Sequence, residues 1–153
     1  MTAETVRRHL DDKGVPFETR KHPGAFTARE TAAVTGVPPR QIAKVVMLDV
    51  DDQLVMAVVP GDKRVDLDKA KEALDATSVT LAPEDEFVPA FPDCEPGAEP
   101  PFGYLYGIPT VVDRGLAGEN ITFPAGCHEE TMTMSLEHYL SLAGPTTADL
   151  TED

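Results

Sequence analysis

The sequence predicts a single α+β domain built around a mixed, largely antiparallel sheet. Its 153 residues are enough to close one hydrophobic core and few for two. The apolar fraction of 41% is typical of a globular protein. Segments with strand-like alternation and segments with helical spacing follow one another without an internal repeat or linker. We expect residues 1–145 to form the domain and residues 146–153 to be an acidic, frayed tail.

The chain begins with a predicted amphipathic helix and a strand. Thr2 is suited to cap the helix, Val6 and Leu10 lie four residues apart on one face, and Gly14 follows its end. Val15, Phe17 and Thr19 then lie at alternate positions along the chain. This alternation predicts the first strand.

A second helix and a pair of strands follow. Thr27 and Glu30 form a capping box, in which the hydroxyl and the carboxylate bind unpaired amides at a helix start, and Gly36 ends that helix. The apolar runs Ala43–Val50 and 54–60 are separated by a short polar turn and predict two adjacent strands. Because both runs are apolar on both faces, we expect these strands to be central in the sheet.

Helices and strands continue to alternate through the second half. Asp66 is suited to cap a helix that runs to about residue 74, and Pro83 is suited to start another. Residues 91–107 hold four prolines, three glycines and several aromatic side chains, which predicts an ordered loop packed on the body. The other expected elements are strands at 78–81, 109–113, 121–124 and 131–134, and a helix at 136–143 capped by Ser135.

The net charge of −14 is unevenly distributed along the chain. Residues 1–80 carry 12 of the 13 basic side chains and 13 acids, whereas residues 81–153 carry one basic side chain, Arg114, and 14 acids. Phosphate binding is driven by Lys and Arg, so only the first half can offer a face to nucleic acid. Acidity that simply keeps the protein soluble is the alternative explanation of the overall charge.

No stretch of about 18 uncharged apolar residues is present, and the polar N-terminus does not resemble a signal peptide. We therefore expect a soluble, cytoplasmic protein without a membrane partner. The two cysteines, Cys94 and Cys127, are too few for a disulfide framework and lack the paired spacing of a zinc site. A metal hydrolase using these cysteines with Asp113 and His128 is a remote alternative, and we expect neither metal nor cofactor.

Lys44 is the first candidate functional residue. It lies inside an apolar strand, where an ammonium group is costly to bury unless a negative group meets it. It could hold a phosphate or polarise a carbonyl at the rim of a pocket. Alternatively, it lies at a strand end and extends its side chain to water.

Two glycine-containing segments are further candidates. The stretch from Gly97 to Pro101 could direct backbone amides towards a ligand, or it could be a plain surface loop. In Gly126-Cys127-His128, the glycine amide could approach an oxyanion and His128 could position or protonate a neighbouring group, or the segment could be an ordinary turn. The sequence contains no phosphate-binding glycine loop, zinc-protease helix or serine-hydrolase signature.

Together and in this order, five segments of the chain resemble the YbaK family. That family comprises aminoacyl-tRNA deacylases related to the editing insertion of bacterial prolyl-tRNA synthetase. The resemblance covers roughly residues 20–143 and implies one mixed α/β domain with a curved sheet flanked by helices. The matching segments are Lys44 in its strand, 58–62 with 64–67, the Gly97-x-x-x-Pro101 loop, Val112-Asp113 and Ala125-Gly126.

The resemblance also implies a reaction, which is hydrolysis of the ester that joins a wrongly attached amino acid to the terminal adenosine of a tRNA. Such an ester is labile, so positioning, water activation and oxyanion stabilisation suffice without a covalent nucleophile. By this analogy Lys44 anchors the substrate's terminal phosphate or ester end, the Gly97–Pro101 loop lines the amino-acid pocket, and the Gly126 amide faces the reacting carbonyl. We add His128 to the catalytic set because it follows Gly126 and could position or protonate a neighbouring group. The substrate-binding residues that we expect are His22, Gly97, Pro100, Pro101, Phe102 and Asp113.

The expected partners are the 3′-terminal adenosine end of an aminoacyl-tRNA and an aminoacyl-tRNA synthetase. Alanine or cysteine on tRNA-Pro, or a similar mispair, would be the substrate. A competing interpretation is a binding module that keeps the fold but lacks hydrolysis and recognises an aminoacyl or nucleotide group. His22, which precedes a Pro-Gly turn, is also compatible with a surface position or support of the next helix cap.

Overall fold

The computed structural model describes residues 4–152 and confirms the α+β fold class. Over this range the chain forms five α-helices and eight strands. None of these helices is long and apolar enough to cross a membrane. The helices are α1 (Glu4–Asp12), α2 (Ala28–Thr35), α3 (Leu67–Ala73), α4 (Glu84–Phe87) and α5 (Leu136–Ala143). The strands are β1 (Phe17–Lys21), β2 (Ala43–Val50), β3 (Gln53–Pro60), β4 (Val79–Leu81), β5 (Thr110–Asp113), β6 (Asn120–Pro124), β7 (Glu130–Ser135) and β8 (Thr146–Ala148).

Five strands form a mixed sheet in the order β4-β2-β3-β5-β8, so β2 and β3 are central as predicted. They form an antiparallel hairpin, while β5 runs parallel to β3 and β8 runs parallel to β5. The hairpin turn is Asp51-Asp52, and both residues have positive φ, which is the geometry of a two-residue turn that matches strand twist. The hairpin places Lys44 opposite Val59, near the open end of the strand pair.

The remaining strands form an antiparallel sheet in the order β1-β7-β6. The sequence patterns predicted one sheet, whereas the strands divide between two that meet at a single bridge between Ile42 and Thr122. This bridge holds the start of β2 beside β6. Lys44, the second residue of β2, therefore lies next to the junction of the two sheets.

Two hydrophobic clusters cover opposite faces of the five-stranded sheet. Met56 and Val58 of β3 pack in the larger cluster, with α1, α5 and the aromatic loop, while Val55, Ala57 and Val59 pack in the smaller one with α3. Alternate residues of β3 thus enter different cores. This explains why the strand is apolar from Leu54 to its end.

The caps of α2 and α5 agree with the sequence. The Thr27 hydroxyl accepts a hydrogen bond from the amide of Glu30, and Gly36 ends α2 in the left-handed conformation. The Ser135 hydroxyl accepts from the amide of His138 at the start of α5. The predicted Thr2 cap lies outside the described residues, but Val6 and Leu10 of α1 are fully buried as expected.

The expectation of a frayed tail is wrong. Residues 146–148 form β8, and the Leu150 side chain is fully buried in the smaller cluster. Thr151 makes a bridge with Val65, and the amide of Glu152 donates to the carbonyl of Arg64. Apolar burial and strand pairing outweigh the acidic composition on which the expectation rested.

Candidate active site

A cavity of about 450 Å³ opens where three segments meet. These are the start of α2, the beginning of β2 and the loop that contains Gly97. Most of its walls are small or apolar, and the polar groups are few and concentrated. The side chains with the most chemistry are Phe26, Arg29, Lys44 and Glu99.

Lys44 lies on the wall of this cavity and is half-buried. Its Nζ donates a hydrogen bond to the carbonyl of Lys63. Burial lowers the pKa of Lys44, the positive charge of Arg64 lowers it further, and Asp62 opposes both effects. An anion bound beside Lys44 would offset the cost of keeping this cation out of water.

The loop from Gly97 to Pro101 forms another wall and is organised by its own acid. Gly97 has φ of +87°, and the Glu99 carboxylate accepts a hydrogen bond of 3.0 Å from its amide. Glu99 is only 4% exposed, and this burial raises the pKa of its carboxyl group. The sequence patterns indicated the loop but not the role of Glu99. This role could have been suspected because Glu99 is an acid between Ala98 and Pro100, in a segment that was expected to pack on the body of the protein.

His128 connects two segments that border the cavity. Its Nε2 lies 2.8 Å from the carbonyl oxygen of Pro96, and its Nδ1 lies 3.2 Å from that of Ala25. A neutral imidazole can donate to only one of these acceptors. The Gly97 backbone packs against the same ring, since a Cβ there would lie 3.5 Å from the His128 Cε1. The ring therefore fixes the Gly97 loop against the chain that leads into α2.

Gly126 does not present its amide to the cavity as the resemblance implied. The amide donates to the carbonyl of Ala98 at 3.1 Å, and the Gly126 carbonyl accepts from the amide of Glu95 at 2.7 Å. Gly126 adopts φ of +90°, which explains the glycine. Because both of its backbone groups are used within the protein, Gly126 acts on the loop and not as an oxyanion donor in this conformation.

Three predicted substrate-binding residues, Pro100, Pro101 and Phe102, are buried instead of lining the cavity. Phe102 is fully buried against the rings of Phe123 and Tyr139. The Tyr139 hydroxyl donates to the carbonyl of Pro101 at 2.6 Å. These contacts hold the far end of the loop in the core.

Asp113 and His22 also lie away from the cavity wall. The Asp113 carboxylate accepts hydrogen bonds of 2.8 Å from the amides of Gly115 and Leu150, which joins β5 to the segment after β8. The His22 Nδ1 lies 2.8 Å from the carbonyl of Pro23, and its Nε2 is buried without a hydrogen-bond partner in the described part of the chain. Both side chains border structural turns.

The thiols do not form a metal centre with the neighbouring groups. Within residues 4–152, no three His, Cys, Asp or Glu side chains come close enough together to hold an ion. Burial raises the pKa of Cys94 to about 12, so this thiol is not poised as a nucleophile. Cys127 is buried and unpaired by any disulfide.

Phe26 and Arg29 are cavity residues that the sequence patterns did not indicate. Phe26 is 68% exposed, and its ring centre lies 4.4 Å from that of His128. An exposed aromatic face at a pocket mouth is a typical stacking surface for a nucleobase. Arg29 lies in the first turn of α2 and adds a second cation beside Lys44. Phe26 precedes the capping Thr27 and Arg29 follows it. The sequence pattern at this point indicated a helix cap and gave no sign of a binding site.

The fold and the cavity together define an α+β domain with a cationic, partly apolar pocket at the junction of two sheets. The sequence profile of the aminoacyl-tRNA editing domain family matches residues 22–142. The chain belongs to that family.

Curated relatives include proline–tRNA ligases. The ligase of Acidithiobacillus ferrooxidans is 31% identical over 98% of this chain and 26% of its own length. That of Gloeobacter violaceus is 29% identical over 74% of this chain and 20% of its own length. The chain therefore spans about a fifth to a quarter of these ligases.

Solved structures show the same fold. A hypothetical protein with 26% identity superposes with a TM-score of 0.87, covering 97% of this chain and all of the other. A candidate trans-editing enzyme for prolyl tRNA synthetase, 24% identical, gives a TM-score of 0.86 over 99% of this chain and 97% of its own. These neighbours confirm the architecture of two mostly antiparallel sheets with helices.

Proposed function

We propose that this domain hydrolyses the ester bond of mischarged aminoacyl-tRNA in trans, with a small amino acid such as alanine or cysteine on tRNA-Pro as the substrate. The observation that carries the proposal is the half-buried Lys44 on the wall of the cavity, beside the Gly97 loop. Family membership and the proline–tRNA ligase relatives support it. An aminoacyl-tRNA synthetase would be the second partner.

The cavity has the size and chemistry that such a substrate needs. A volume of about 450 Å³ is in the range of pockets for small organic ligands and leaves room for an aminoacyl group with part of a nucleoside. Lys44 would bind the ester end of the substrate, with its charge beside the reacting carbonyl. Phe26 would offer its exposed ring to the adenine.

We assign Lys44 as the catalytic residue and His128 and Gly126 as positioning residues. His128 and Gly126 act through the Gly97 loop, because their polar groups bind the backbone of residues 25 and 95–98. The loop in turn would define the space for the amino acid. Since the ester is labile, a positioned water and an electrostatically stabilised oxyanion suffice for hydrolysis.

The experiment is a deacylation assay with Ala-tRNA(Pro), Cys-tRNA(Pro) and Ser-tRNA(Ala), comparing wild type with Lys44→Ala and Lys44→Met. Removing one electrostatic group of this kind costs about 100- to 1000-fold in rate, and we expect a loss of that size. Lys44→Met retains the apolar stem and keeps the strand packed. Lys71→Ala, on the exposed side of α3, is the matched control and should retain full activity.

The outcomes are distinguishable. Hydrolysis of one substrate that disappears in both Lys44 variants supports the reaction and identifies the amino acid. Hydrolysis that persists in both variants removes Lys44 from the mechanism. No hydrolysis by wild type, with binding of the tRNA retained, would identify the protein as a binding module of the same fold.

A further inference from the structure

A second groove, of about 360 Å³, adjoins the cavity. It shares Arg29, Lys44 and Gly61 with the cavity and continues along the turn that follows β3. Lys63 and Arg64 line the continuation, so four cations face the groove with one acid, Asp62. This concentration stands out in a chain with a net charge of −14.

The groove is firmly built. The amide of Lys63 donates to the carbonyl of Pro60, and the Lys63 carbonyl accepts the hydrogen bond from Lys44. The amide of Glu152 donates to the carbonyl of Arg64 at 2.9 Å. The backbone of this cationic turn is therefore anchored from both sides, while its side chains are exposed.

No salt bridge between the described residues explains the grouping of these cations. Within residues 4–152, none of Arg29, Lys63 and Arg64 forms a salt bridge. The charge of Arg64 instead disfavours the protonated form of Lys44. Like charges held together on a fixed backbone favour binding of an anion, and guanidinium groups suit phosphate because they can donate two parallel hydrogen bonds.

We propose that this groove binds the phosphodiester backbone of the single-stranded RNA that precedes the terminal adenosine of the substrate. The inference rests on the proposed function, because it takes the terminal residue to occupy the cavity. The shared wall at Lys44 and Arg29 then leads the RNA strand out of the cavity and past Lys63 and Arg64. The groove would thus contribute the affinity for RNA phosphates that the acidic second half of the chain cannot provide.

The test compares Arg64→Gln and Lys63→Gln with wild type on two substrates at several salt concentrations. One is the aminoacyl-tRNA cleaved by wild type, and the other is the matching aminoacyl-adenosine, which has no phosphate. We expect kcat/KM for the tRNA to fall about 3- to 10-fold in each variant. The slope of log kcat/KM against log salt should become shallower by about 0.7 for each phosphate that the variant no longer binds. Hydrolysis of aminoacyl-adenosine should not fall, because this substrate places no phosphate in the groove.

Arg8→Gln is the matched control, since Arg8 is exposed on α1 and lines neither the cavity nor the groove. Variants that behave like Arg8→Gln on the tRNA would overturn the inference. So would variants that lose the same activity on both substrates, because the loss would then not depend on the phosphates of the RNA.

A direct binding measurement separates failure of this inference from failure of the proposed function. Fluorescence anisotropy with a short single-stranded RNA ending in CCA reports binding without any reaction. If wild type binds this RNA and Arg64→Gln weakens binding with a shallower salt slope, the groove is an RNA site even when no ester is cleaved. If wild type hydrolyses aminoacyl-tRNA and the variants bind this RNA as wild type does, the groove is not the RNA path. Absence of RNA binding by wild type also refutes it.

Discussion

Replacing Asp113 by Asn should destabilise the protein without removing a substrate contact. Each carboxylate oxygen of Asp113 accepts one backbone hydrogen bond, Oδ2 from Gly115 and Oδ1 from Leu150, both at 2.8 Å. Asparagine has one acceptor oxygen and presents an NH2 group in place of the other. One of the two amides must therefore lose its acceptor in a site where the side chain is 3% exposed.

The expected cost follows from the loss of that bond. A hydrogen bond to a charged group contributes about 1.5–3 kcal/mol, so the free energy of unfolding should fall by about this amount. For a domain of this size, about 2–4 °C of melting temperature corresponds to each kcal/mol, which predicts a decrease of roughly 3–12 °C. Circular dichroism during thermal and urea unfolding measures both quantities.

Asp66→Asn is the matched control for this change. Asp66 also accepts two backbone hydrogen bonds, from Asp68 at 3.0 Å and Lys69 at 3.2 Å, but both reach the same oxygen, Oδ1. Asparagine retains that oxygen and caps helices as well as aspartate does, so this variant should be close to neutral. Equal stability losses in the two variants would refute the reasoning. A raised KM in Asp113→Asn at unchanged stability would instead restore Asp113 as a substrate-binding residue.

Two further predictions concern the walls of the cavity. Gly61→Ala should lower the free energy of unfolding by about 1–3 kcal/mol, because the new Cβ would lie 2.7 Å from the Pro39 carbonyl oxygen and 2.9 Å from the Ala28 Cβ. The control is Gly24→Ala, where the new Cβ makes only ordinary contacts and the free energy of unfolding should change by less than about 1 kcal/mol. Equal losses in the two variants would contradict the predicted clash at Gly61. Glu99→Gln should remove one contribution to the pH dependence of stability. Burial raises the pKa of Glu99, so the contribution of this side chain to stability is fully present below the ordinary glutamate pKa and is lost as pH rises through the raised value. Urea titrations across that window test this, and parallel curves for the two proteins would count against it.

Sequence patterns predicted the elements whose determinants lie within a few residues of one another. The β2–β3 hairpin follows from two apolar runs and a polar turn, and α5 has the predicted bounds because Ser135 caps it locally. The same patterns did not predict that the strands divide between two sheets. That division depends on the bridge between Ile42 and Thr122, which are distant in sequence.

The candidate site was predicted in part for the same reason. Lys44 and Gly97 line the cavity, while their roles in binding and catalysis stay predictions. The actual partners of Gly126 and His128 are backbone groups of Ala98, Pro96 and Ala25, which no local pattern specifies. A glycine or histidine that a local pattern marks as functional can therefore hold a loop through its backbone partners.

The candidate residues fall into two groups, according to whether their polar atoms are hydrogen-bonded within the protein or face a groove. The hydrogen-bonding groups of Gly126 and Asp113 are used by the protein itself, so their replacement should change stability or loop position first. Arg29, Lys63 and Arg64 form no salt bridge within the described residues and face a groove, so their replacement should change affinity for an anion first. Lys44 is in both groups, because it donates to the Lys63 carbonyl while burial and Arg64 disfavour its charge more than Asp62 favours it. At Lys44 a loss of activity therefore tests the proposed reaction when the unfolding free energy of the same variant is measured beside it.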